Sequence, residues 1–173
     1  MNLILHILHI LHILTVKMEQ WIEEDCELSL NIDIEPRFLA KGLKDHLFNY
    51  TKKVYEGRYF KDIFVLKVNR MIDYESQIST TIDATTRFVV KCETVCIVPK
   101  MNEEIKIVIT NSDKMSISNV EKYTWNGKEY DTRIMFIVNS QERNKKGSTI
   151  TVVPLQYRVN KGKEQAVIVC EMV

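Results

Sequence analysis

Outside its first 17 residues the chain has one histidine, His46, and nowhere does it carry a CxxC pair. Those two shortages remove the usual zinc arrangements, which draw on paired cysteines and histidines at short spacing. The four cysteines, Cys26, Cys92, Cys96 and Cys170, are widely spread. Cys92 and Cys96 share one face of a β-like run but stand about 13 Å apart along it, too far for a disulfide. All four read as reduced, buried thiols in a reducing, intracellular compartment. Catalytic signatures are missing too. There is no Rossmann-type glycine triplet, no P-loop, no nucleophile elbow and no HExxH helix. Asp45 and His46 are adjacent, but adjacent helix residues point about 100° apart, so they do not converge as an acid–base pair. The acidic residues form no metal set. The chain reads as noncatalytic, with no cofactor and no metal.

An excess of charge is also lacking. The 24 basic and 23 acidic residues leave a formal net charge of +1, which excludes a strongly basic nucleic-acid binder. Residues 18–100 hold 12 basic and 14 acidic groups, and residues 101–173 hold 11 and 9. No apolar run is long enough for a membrane helix. The one candidate, MNLILHILHILHILTVK at residues 1–17, has an apolar stretch of about 14 residues against the roughly 20 a span needs. It lacks a basic start and a small-residue cleavage site. His6, His9 and His12 would drift by about 60° per step on a helix, a poor ligand set. The stretch reads as a low-complexity leader outside the fold, with Met18 as a candidate start. The alternatives are an anchor or signal, and a metal tract.

Ordinary patterning fills the rest. Leu28, Leu30, Ile32 and Ile34 alternate with polar residues, the mark of a strand with one buried face. Pro36 ends it and suits the first turn of a helix, with Asp33 or Glu35 near the positive helix end. Leu39, Leu43, Leu47, Tyr50 and Val54 then recur at helical spacing, widened by Phe38, and Gly57 is a C-terminal stop. Asp62–Tyr74 reads as a strand with Phe64, Leu66 and Val68 alternating. Glu75–Thr86 is polar and threonine-rich and reads as a protruding loop, with Ile78 and Ile82 as possible contact points for a partner. Arg87–Val98 carries apolar residues on both faces and should be a central strand.

From Met101 the helical pattern disappears. Glu104–Thr110, Lys114–Ser118, Glu121–Trp125, Thr132–Asn139, Ser148–Tyr157 and Gln165–Met172 read as short strands, separated by NSD, NGKEYD, RNKKG and NKGK. Closely spaced strands without helices suggest a small barrel or sandwich. The division is thus a leader at 1–17, an N-terminal domain at 18–100 and a β-barrel at 101–173. On such a barrel, aromatics would stack on RNA bases and lysines would meet phosphates. Tyr123 and Trp125 alternate onto one face. Lys114, Ser116 and Ser118 are expected to point outward, with Met115 and Ile117 pointing in. The turn Arg143–Gly147 contains Lys145 and Lys146 and is the most basic exposed stretch.

The order of these elements resembles a known family. LSLNIDIEPRFLAKGLKDHLFNYTKKVYEGR (Leu28–Arg58), IFVLKVNRMID (Ile63–Asp73) and RFVVKCETVCIVPKMNEEIKIVIT (Arg87–Thr110) are similar to segments of the larger stalk subunit of DNA-dependent RNA polymerase. That is the seventh subunit of the eukaryotic second polymerase, called E-prime in archaea. The likeness covers roughly residues 26–110 closely and 111–173 loosely. It implies an α+β ribonucleoprotein-like tip domain followed by an all-β OB (S1-like) barrel. It also implies docking on the polymerase core through the tip loop, here Ile78, Thr80 and Ile82, pairing with a smaller helical stalk subunit, and contact with nascent single-stranded RNA through the barrel. Residues Ser76 to Thr80 stand where the family usually has glycine and proline, and Glu103–Lys106 lack its usual glycine. Such departures fit a divergent lineage, for example polymerases of large DNA viruses. A cellular member would work in the nucleus, a viral one in the cytoplasm or virion. The alternative is a free-standing OB-type RNA-binding protein.

Overall fold

The structure is a computed structural model. It describes residues 20–39, 42–77, 86–112, 115–139, 144–160 and 162–173. Along the chain run β1 (Trp21–Ile34), a 3-10 turn (Pro36–Phe38), α1 (Leu43–Tyr55), β2 (Arg58–Phe60), β3 (Ile63–Gln77), β4 (Thr86–Pro99), β5 (Ile105–Val108), β6 (Ser116–Trp125), β7 (Lys128–Asn139), β8 (Thr149–Asn160) and β9 (Gln165–Met172). The described fold is mostly β-sheet with one short α-helix. No described helix is long and apolar enough to cross a membrane. The chain forms two compact units. One is Glu23–Ile97. The other is Val98–Val173 together with residues 20–22.

The first unit is a four-stranded sheet in the order β1-β4-β3-β2. The central strand expected from Arg87–Val98 is β4, which lies between β1 and β3. The alternation of β1 works as expected: Leu30, Ile32 and Ile34 are buried in a cluster with Phe88, Val90, Cys92 and Cys96 of β4. The acidic residues before Leu28 are strand as well, because β1 already begins at Trp21. In β3 the simple alternation fails. Register shifts between Val65 and Lys67 and between Val68 and Arg70 bring Val65 and Val68, three apart, into the cluster that holds Leu47 of α1. A bulge advances the phase of a strand by one residue, which a period of two cannot anticipate.

The single helix expected from Pro36 is broken. Pro36 starts only a 3-10 turn, closed by Leu39 N–H donating to the Pro36 carbonyl at 3.1 Å. The chain then reaches Gly42 at φ 90°, a left-handed conformation, and α1 begins after it. Only glycine enters that region without steric cost, so Gly42 separates the turn from the helix. Leu39 is consequently exposed, while Leu47 is fully buried. The acids expected at the helix start serve elsewhere: Asp33 pairs with Arg87 and Glu35 with Arg37. Gly57, at φ 76°, lies just past the helix end and donates its N–H to the Val65 carbonyl at 2.8 Å.

The second unit is a five-stranded sheet in the order β5-β8-β9-β7-β6. β7 and β9 are parallel, whereas β5–β8, β6–β7 and β8–β9 are antiparallel. Ile105, Ile107, Ile134, Phe136, Val138, Val152, Ala166, Ile168 and Cys170 line its buried side. The outer strands β5 and β6 approach each other at one end, where the N–H groups of Thr110 and Asn111 donate to the Ile117 carbonyl at 2.8 and 3.1 Å. The unit is β-rich and barrel-like. Gln20 and Trp21 belong to it. The Gln20 side chain donates to the Lys106 carbonyl at 2.7 Å, and the buried Trp21 ring lies 6.2 Å from that of Phe136.

Ser116–Ser118, the end of the expected strand Lys114–Ser118, and Glu121–Trp125, expected as a separate strand, belong to one strand, β6, which turns tightly into β7. Asn126 and Gly127 have φ of 48° and 77°, and Trp125 pairs with Lys128 directly across them. Positive φ at both central residues is the type I′ signature, for which Asn-Gly is the preferred pair. KEYD is therefore strand rather than loop. In β8, Pro154 is accommodated at a register shift between Pro154 and Gln156, where a missing N–H costs no ladder bond.

Candidate nucleic-acid interface

The candidate interface is built from the residues that the barrel-like sheet turns away from its core. On β7, Ile134, Phe136 and Val138 are buried, so Arg133, Met135 and Ile137 face the other way. On β9, Val167 and Val169 do the same opposite Ala166, Ile168 and Cys170. The register then sets rows across four strands. Ile117, Ile137, Val169 and Gln156 form one row, and Asn119, Met135, Val167 and Arg158 the next. The middle of this face is aliphatic and half-buried, and its margins are polar. A cleft at its lower end is lined by Asn119, Asp131, Arg133, Met135, Lys163 and Gln165 among others.

Charge on this face is nearly balanced. Arg133 is tied to Asp131 at 2.9 Å, and that bond, with the Asp131 and Glu164 charges, holds its guanidinium pKa above the usual value. Lys122 is tied to Glu129 at 2.9 Å. Arg158 and Lys163 are the further cations here among the described residues. Arg133 itself has φ 45°, beside the register shift between Val120 and Lys122. Its side chain lines the cleft.

The sequence candidates fall at two separate ends. Lys145 and Lys146 are exposed on a braced turn. Gly147 N–H donates to the Ile109 carbonyl at 2.8 Å, and Ser148 N–H to the Lys145 carbonyl at 3.0 Å. Asn144 donates from its backbone and its side chain to Ser116 Oγ at 3.3 and 3.2 Å. The basic turn is thus held against the start of β6. Tyr123 and Trp125 lie at the far end of the same strand, roughly 25–30 Å away at the ordinary strand rise. The cations and the aromatics do not form one site. Tyr123 is only 9% exposed and offers little ring surface, whereas Trp125 is half-buried. Lys114, Arg143, Ile78, Thr80 and Ile82 lie outside the described residues.

One expectation is reversed. Ser116 and Ser118, assigned outward, are 4% and 3% exposed, and Met115, assigned inward, is 47% exposed. Ser116 is held inside because its hydroxyl takes the bonds from Asn144. The bulge after Val120 then shifts the phase, so the positions of Tyr123 and Trp125 could not be used to fix those of Ser116 and Ser118.

No family model matches the chain, and no curated protein does. Sequence reasoning passed over Asn119, Arg133, Arg158 and Lys163. They become neighbours only through the parallel β7–β9 pairing, which joins segments about 30 residues apart. For Asn119, Arg133 and Arg158 the only signal was that each sits next to a buried residue.

Proposed function

We propose that the chain is a noncatalytic stalk subunit of a DNA-dependent RNA polymerase, docking through its N-terminal unit and contacting nascent RNA through its C-terminal one. The observation that carries the reading is the strand pairing of the second unit. Numbered in chain order from β5, its strands run 1-4-5-3-2, with the third and fifth parallel and the first and second meeting at Asn111 and Ile117. This supports an OB barrel, a five-stranded, partly open Greek-key form used for single-stranded nucleic acid. It follows a helix-and-sheet unit holding the segments that resemble the stalk family, which supports reading that unit as the ribonucleoprotein-like tip. The free-standing RNA-binding alternative draws support from the same Lys145–Lys146 turn, which is braced wholly within the second unit.

Two measurements separate the readings. Affinity purification of the full chain from its native source should bring polymerase subunits along. Replacing residues 78–85 with a glycine–serine linker should abolish that association; unchanged association would remove the tip loop as the docking element. Single-stranded RNA binding by the purified chain, followed against salt, should show a slope that falls by about one to two when Lys145 and Lys146 are both changed to alanine. RNA binding without polymerase association would favour the free-standing protein.

A further inference from the structure

Asn144 joins two parts of the second unit at one end of β6. Its backbone and side chain donate to Ser116 Oγ, and the same side-chain amide donates to Met172 Sδ at 3.6 Å. Two thioethers therefore border the basic turn: Met172 touches Asn144, and Met115 precedes Ser116 in the chain. Met115 is 47% exposed and Met172 40%, so neither is spent on the core. Lys145 and Lys146 come directly after Asn144. Both are exposed, and neither makes an ion pair with a described residue. The backbone beneath them is fixed, because the Ser148 hydroxyl donates to the Lys145 carbonyl at 2.6 Å.

We propose that Met115 and Met172 are the base-contacting residues of a single-stranded RNA site, with Lys145 and Lys146 holding the flanking phosphates. The proposal rests on the RNA reading above. It replaces Tyr123 and Trp125, at the far end of β6, with the turn where the cations are. A thioether is flexible and polarisable and packs well against an aromatic ring, and methionine is among the apolar side chains that wedge between bases. Base faces are open to such contact in single strands. Every base has one, so the contact tolerates any sequence. An anionic membrane is a poorer occupant, because adsorption through charge takes a cluster of about four to eight cations, and the described part of the turn supplies only Lys145 and Lys146.

The test uses the full chain and a fluorescein-labelled oligoadenylate of about 12 nucleotides, within the site size of one such barrel, beside an abasic strand of equal length and charge. M115A/M172A should bind the oligoadenylate about tenfold more weakly, through the loss of two thioether–ring contacts. Its salt slope should be unchanged, because no phosphate contact is lost. The abasic strand should bind the wild-type chain and M115A/M172A equally, since it offers no base to pack on. M115L/M172L keeps the apolar bulk but not the sulfur to which Asn144 donates, and should stay within about threefold of the wild type. If it falls as far as the alanine variant, the methionines act by bracing the turn and the proposal is overturned. Oligoadenylate affinity unchanged in M115A/M172A would also overturn it and leave the RNA reading standing, whereas no RNA binding by the wild type would remove both. Adsorption to phosphatidylserine vesicles that is lost in M115A/M172A, with RNA binding unchanged, would overturn it by giving the patch to a membrane.

Discussion

Asp33 and Arg87 join β1 to β4 by two side-chain hydrogen bonds, at 2.7 and 2.9 Å. The guanidinium beside it holds the Asp33 carboxyl below its usual pKa, and the carboxylate in turn raises that of Arg87. A carboxyl whose folded pKa lies below its unfolded value, near 3.9, stabilises the fold above that value. The contribution is lost as pH falls through the lowered pKa. Both side chains are half-exposed, so the effect is small. D33N should lower the urea midpoint slightly at pH 7, and the difference should shrink as the pH falls through the lowered pKa of Asp33, measured by equilibrium unfolding at pH 7 and in acid. The thiols behave oppositely. Burial pushes Cys92 and Cys96 up to about 11 and Cys170 to about 12. The folded state keeps these protons while the unfolded chain gives them up from about pH 8.5, so stability should decline as pH rises from there. At pH 8 a thiol reagent should label the half-buried Cys26 first and the other three at the rate of unfolding. Burial was expected of all four thiols; Cys92, Cys96 and Cys170 are buried, whereas Cys26, on the acidic half of β1, is only half-buried. The inward turn of Ser116 was not legible, because its cause is Asn144, 28 residues away in the chain.

At the level of elements, the Asn126–Gly127 turn and the helix α1 make the sharpest expectations. A β-carbon on Gly127 would meet nothing within 4 Å, so its φ of 77° is the whole objection to a side chain there. G127A should cost about 1–2 kcal/mol. G162A, at an ordinary φ with its nearest atom at 3.6 Å, should change stability by less than about 0.5 kcal/mol. Chemical denaturation of the pair distinguishes conformational cost from crowding. In α1, Leu47 is fully buried among the strands of the first sheet. L47A should cost about 2–5 kcal/mol, again read by denaturation. Local chemistry made parts of these elements legible. Gly57, Leu47 and the strands β4 and β9 follow directly from pattern. The Asn-Gly signal stood in the sequence as well, but the residues after it, KEYD, are polar and masked a strand whose outward side faces water. The helix break was hidden for a related reason: the apolar spacing continues through Leu39 and Leu43, and only the backbone at Gly42 interrupts it.

The division of the whole molecule is the feature that sequence order conceals most. A boundary near residue 100 separates the helical pattern from the strand-rich pattern, yet the second unit also includes Gln20 and Trp21. Composition cannot assign two residues to a unit that starts more than 70 positions later. Side-chain chemistry can, once contacts are known. Trp21 is 7% exposed and packs near Phe136. Gln20 is tied to Lys106 through its side chain, and its carbonyl accepts from Lys100 N–H at 3.1 Å. A fragment of residues 98–173 would therefore lack part of its own core. It should be less stable than the same unit in the full chain by about 3–5 kcal/mol, the usual loss for deleting a buried tryptophan. W21A in the full chain should destabilise that unit by a similar amount. The chain has only two tryptophans, so a W125F background makes Trp21 the single emitter. In that background, the emission maximum should be blue-shifted in the native state and move red in one transition as the second unit unfolds. A fragment of 98–173 as stable as the unit within the full chain would show that Gln20 and Trp21 merely rest on the sheet rather than complete it.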